Sequence, residues 1–98
     1  MSEFVPGQEV RMRCEASRGG PLGEAVVTVE SAQGPISGFV RPDAVTGEGE
    51  GAFLRAWIVK VSDEFVVVEM AGSFFQTAAG RAAVRADWAS RNLIPVGA

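Results

Sequence analysis

Apolar residues fall on alternate positions in one short segment after another, which is the period of strands with one face buried. Over residues 9–15, Val10, Met12 and Cys14 alternate with Arg11, Arg13 and Glu15. One face of this first strand turns inward and the other carries charge. Pro6-Gly7 opens it, and a Gly- and Pro-rich run over 17–23 closes it. A second strand is predicted over 24–31, rich in β-branched residues, with Ala25, Val27 and Val29 on one face and Val26, Thr28 and Glu30 on the other. Gln33-Gly34-Pro35 punctuates the chain before a short third strand over 36–40, which pairs back as a hairpin.

Residues 43–51, centred on Thr46-Gly47-Glu48-Gly49-Glu50-Gly51, read as a mobile Gly/Glu loop within one domain. On that reading, deleting 48–51 leaves stability within about 1 kcal/mol, because loop-closure entropy varies slowly with length. The longest strand candidate follows over 53–61. Arg55 and Lys60 have opposite parity in it, so a continuous pleat would bury one of them. Either a bulge separates the two or both faces are partly covered. Ser62-Asp63 makes a tight turn into 64–70, where Val66, Val68 and Met70 share one face and Phe65 and Val67 the other. A strand apolar on both parities is central and covered twice, which a small barrel achieves by meeting another subunit.

The last third pits propensity against periodicity. Ser73 and Gln76 have capping-box spacing and the run over 78–89 is rich in Ala, which favours a helix over 76–92 and an α+β fold. Against this, Ala82, Val84, Ala86 and Trp88 alternate with Arg81, Arg85 and Asp87, which predicts a strand over 81–86 and a single helical turn over 87–92, with Asp87 as its cap. Leu93-Ile94-Pro95-Val96 adds a final edge strand. The fold class is therefore all-β: one domain over 1–98, a small barrel or sandwich of about six short strands with a helical turn near the C-terminus. The succession of strands is similar in architecture to SH3-like and Sm-like barrels, without a shared motif, so no functional residue follows from that likeness.

Composition narrows the chemistry. The 98 residues include no His, no Tyr and a single cysteine, Cys14, so the side chains that usually move protons near neutral pH, ligate metals or attack carbonyl groups are nearly missing. No catalytic residue, metal ligand or cofactor is assigned. Cys14 cannot form an internal disulfide and reads as a small apolar residue on a strand. The N-terminus has no basic and apolar leader, and no apolar run approaches the roughly 20 residues of a membrane span, so a cytoplasmic protein is expected. Nine basic residues against twelve acidic ones give a formal charge of −3, which argues against wholesale attraction to phosphate backbones.

Two surfaces are candidates for binding. Trp57, Phe65, Val67, Phe74, Phe75 and Trp88 make an apolar-aromatic contact set, suited to a protein or small-molecule ligand or to a second copy of the chain. The function expected is a non-catalytic interaction module, a homodimer or higher oligomer. The alternative is a nucleic-acid-binding barrel acting through Arg11, Arg13, Arg81 and Arg85, which share one face if their strands are neighbours.

Overall fold

The computed structural model describes residues 3–74, 77 and 79–96. Among them the chain forms strands β1 (Glu9–Arg18), β2 (Ala25–Ser31) and β3 (Gly34–Val40), a 3-10 turn (Pro42–Ala44), and strands β4 (Val45–Thr46), β5 (Gly49–Val61), β6 (Phe65–Met70), β7 (Ser73–Phe74) and β8 (Arg81–Arg85). Helix α1 (Ala86–Asn92) and strand β9 (Leu93–Pro95) complete it. All pairings are antiparallel, in the order β7-β3-β2-β1-β5-β6-β8, with β4 beside β5 and β9 beside β1. The fold is thus the expected mostly-β one, a curled half-barrel sheet with a short C-terminal helix. A helix over 76–92 is excluded by β8, while Phe75 and Gln76 lie outside the described residues.

The alternation decides what is inside. Val10, Met12, Cys14 and Ala16 of β1, Ala25, Val27 and Val29 of β2, Ala52, Leu54, Ala56 and Ile58 of β5, Val66, Val68 and Met70 of β6, and Ala82 and Val84 of β8 form one buried cluster. Among the described residues, no polar or charged residue is buried. The parity conflict in β5 is resolved by a bulge: Ile58 faces Val68 but Lys60 faces Val67, so Val59 is the extra residue. Arg55 and Lys60 both reach solvent as a result.

Two contacts draw the β6–β8 side of the curl toward the β2–β3 side. After β6 the chain turns at Gly72, with φ +113°, so that Ser73 and Phe74 pair with Phe39 and Gly38 of β3. At the other end of the curl the Ala32 N–H donates to the Ala83 carbonyl at 2.8 Å, tying the β2–β3 turn to β8. Helix α1 packs beneath, with Ala89 fully buried. It starts one residue before the predicted turn, with Arg85 in the cap position, and the Asp87 carboxylate accepts the Trp88 N–H at 2.9 Å from inside the first turn. β9 then pairs with the first half of β1, Met12 to Leu93, Arg11 to Ile94 and Val10 to Pro95, while β2 pairs with the second half.

Residues 43–51 depart from the loop expected there. Val45 and Thr46 pair with Leu54 and Phe53, Gly49 already pairs with Ala16, and Arg18 Nε donates to Glu48 at 2.9 Å. Gly47 and Gly49 both hold positive φ, at +85° and +70°, so the glycines shape a tight β4–β5 connection. Removing residues 48–51 therefore deletes strand pairing together with the turn. The expected result is a loss of more than about 1 kcal/mol, read as a fall in the urea midpoint.

Candidate functional site

The outer face of β1 and β5 brings charge and rings together. Antiparallel pairing sets Arg13 opposite Phe53, Arg11 opposite Arg55 and Glu9 opposite Trp57. The Arg13 guanidinium lies over the Phe53 ring at 5.4 Å from its centroid, and that of Arg55 over Trp57 at 5.3 Å. Both rings are half-buried, and all three arginines are exposed. Arg55 Nε donates to Glu9 at 3.1 Å, and the Arg11 guanidinium reaches across β5 to the Thr46 hydroxyl at 3.1 Å. Among the described residues neither Arg11 nor Arg13 forms an ion pair.

Beside Trp57 this face opens into a depression of about 330 Å³, lined by Arg41, Asp43, Ala44, Arg55, Ala71 and Gly72. Arg41 stands at its mouth with its side chain 85% exposed, 3.4 Å from Asp43. The floor needs glycine at position 72. A Cβ there would collide with Val40 and come within 2.8 Å of the Phe39 carbonyl, and its φ is one that side chains rarely adopt.

The residues singled out in the sequence are divided among different places. Trp57, Arg11 and Arg13 belong to the face just described. Arg81 and Arg85 do not: β8 is separated from β1 by β5 and β6, and it is the later strand β9 that lies against β1. Arg81 pairs with Glu69 at 3.1 Å, and Arg85 sits 3.9 Å from Asp87. Phe65 and Val67 are half-buried on the outer face of β6, opposite Arg85 and Ala83. Phe74 is 7% exposed and belongs to the core, and Phe75 lies outside the described residues. Trp88 lies where β2 and β9 part along β1 and lines a pocket with Arg13, Cys14 and Glu15 of β1, Thr28, Val29 and Glu30 of β2, and Glu50 of β5.

Phe53, Arg55 and Arg41 are not among the binding candidates drawn from the sequence, although Arg55 marks the parity conflict in β5. A signal for two of them existed in the parity of Phe53, Arg55 and Trp57, but it gains meaning only once β5 is known to pair with β1. Across the described residues, no helix is long and apolar enough to cross a membrane. The chain matches no protein-family model, no curated protein and no solved structure.

Cys14 lies on the inward side of β1, 4% exposed, and burial pushes its thiol from 9.0 up to about 11. The thiol holds its proton more tightly folded than unfolded. Its contribution to stability is therefore complete below about pH 9 and is lost as pH rises through about 11. Denaturation midpoints measured between pH 8 and 11 should fall for the native chain and fall less for Cys14→Ala. A thiol reagent at pH 8 should label Cys14 only after denaturant is added.

Proposed function

We propose that the protein is a non-catalytic binding module that holds an anionic partner on the outer face of β1 and β5. The observation that carries this reading is that Arg11 and Arg13 are exposed and make no ion pair among the described residues, in a chain with twelve carboxylates. Around them stand Arg41 and Arg55 with Glu9 and Asp43, while Glu15, Glu30 and Glu50 border Arg13, so the guanidinium groups would act as local, oriented donors and not through a net positive field. A guanidinium already stacked on a ring is held flat and oriented, so less side-chain freedom is lost when it meets a carboxylate or phosphate. The apolar contact set gains less support, because Phe74 is in the core and the half-buried residues are divided among three elements, Phe65 and Val67 on β6, Trp57 on β5 and Trp88 on α1.

Titration with polyphosphate, poly-glutamate and an oligonucleotide at low salt tests the reading, with Trp fluorescence as the signal. At least one polyanion should bind saturably, and Arg11→Glu with Arg13→Glu should weaken it at least about tenfold while circular dichroism stays unchanged. If none of the three binds, or if the charge-reversed variant binds as well as the native chain, the reading is wrong.

A further inference from the structure

A slot in the wall of the sheet lies apart from the β1–β5 face, and we infer that it receives a free α-amino acid with an apolar side chain. The slot arises from incomplete closure. Strands β2 and β8 are tied by the Ala32 N–H on the Ala83 carbonyl at 2.8 Å, and among the described residues no strand pairing continues that contact. Two residues from that bond along each strand stand Glu30 and Arg85. They border a depression of about 300 Å³ whose other walls are Ser31, Val84 and Trp88.

The alternation of the strands sorts this lining by depth. Val84 is 1% exposed and has the inward parity of β8, and Trp88 is half-buried on α1, so the interior of the slot is apolar. Glu30 and Arg85 have the outward parity of β2 and β8 and are exposed, which sets them at its mouth. Ser31 is already engaged. Its hydroxyl donates to the Gly34 carbonyl at 2.6 Å and accepts the Gln33 N–H at 3.2 Å.

The two charges at the mouth are opposite and are not joined to each other. Among the described residues Glu30 forms no ion pair, and Arg85 comes no nearer to a carboxylate than 3.9 Å, at Asp87, which is beyond hydrogen-bond reach. The adjoining pocket adds Glu15 and Glu50 near Glu30, while Arg13 there lays its guanidinium over Phe53. The mouth is therefore negative toward β2, and on the β8 side it offers the Arg85 donors. An α-amino acid carries the matching pair on one small molecule: its ammonium toward Glu30, its carboxylate toward Arg85 and its side chain against Trp88 and Val84. A simple amine or a simple acid would meet only one of the two, and a single exposed ionic contact is worth little.

Phenylalanine, phenethylamine and phenylpropionate carry the same ring with both charges, the ammonium alone and the carboxylate alone. Each is titrated into the intact, isotope-labelled chain, with the Trp88 indole N–H resonance reporting the slot and that of Trp57 as internal reference. Phenylalanine should shift the Trp88 signal with a dissociation constant on the order of millimolar, at least about threefold below that of either analogue. Glu30→Gln should weaken phenylalanine about threefold and leave phenylpropionate unchanged. Arg85→Gln should weaken phenylalanine as much and leave phenethylamine unchanged, with the circular dichroism of both variants unaltered. Phenylalanine no tighter than its analogues, a shift at Trp57 in place of Trp88, or native affinity in both variants would overturn the inference. So would the absence of any shift.

Discussion

Gly38→Val is expected to destabilise the protein by about 3 kcal/mol, the upper end of the cost of overpacking, and to lower Tm by on the order of 15 °C. Gly38 sits where β7 crosses onto β3, paired with Phe74. Even a single Cβ there would collide with the Ser73 carbonyl and lie 2.8 Å from both Cα and Cγ of Phe74. Two of those three atoms are backbone, so a rotamer change cannot relieve them. The bulkier residue must either push β7 away from β3 or displace Phe74 from the core. Thermal unfolding of Gly38→Val beside Gly51→Ala checks this. Gly51 lies in β5 with nothing within 4 Å of its added Cβ and no positive φ, and its substitution should stay within about 0.5 kcal/mol. Equal Tm values for the two variants would mean that the β3–β7 crossing does not constrain the fold.

Leu54→Ala is expected to cost between about 2 and 5 kcal/mol, through lost burial and an unfilled cavity. Leu54 is fully buried near the middle of β5, with Met12 across from it on β1 and Val45 on β4. Neighbours on both sides are fixed by strand pairing, so the site has little freedom to collapse. Urea denaturation should show a lower midpoint with an unchanged m-value. Leu54→Met, which conserves volume, should lose less than about 1.5 kcal/mol. A fall in stability as large for Met as for Ala would place the effect in something other than the cavity.

Local pattern was legible wherever a strand has one wet face. The inward set of β1, β2, β6 and β8 could be read from alternation, and the parity clash between Arg55 and Lys60 announced the bulge that the register shift at Val59 supplies. On the same ground a strand was favoured over the alternative of a helix across 76–92, since Ala82 and Val84 alternate with Arg81 and Arg85, and β8 bears this out. Turn chemistry was harder. Glycines at 47, 49 and 51 look like flexibility, yet two of them serve a tight connection through positive φ, which composition does not distinguish from disorder.

The candidate site was half-legible for a topological reason. Arg11 and Arg13 were marked because they alternate with buried residues, but their neighbours depend on which strand lies beside β1. That strand comes from about forty residues further along, and nothing local names it. Closing a barrel suggested the strand of Arg81 and Arg85. In the structure the chain inserts α1 after β8 and gives the place beside β1 to β9. The aromatic partners Phe53 and Trp57 followed from β5 instead.

The construction of β9 bears on how copies of this protein meet. Antiparallel pairs alternate in hydrogen bonding, so the Val96 N–H on the Glu9 carbonyl at 3.1 Å directs the Ile94 N–H toward Arg11. The Leu93 N–H caps α1 on the Ala89 carbonyl, and Pro95 has none. The outward edge of β9 therefore offers carbonyl oxygens and no donor. A strand arriving from another molecule would find half a ladder, too little to lengthen the sheet, so this margin is guarded against fibre-like stacking although Ile94 and Val96 stand exposed beside it.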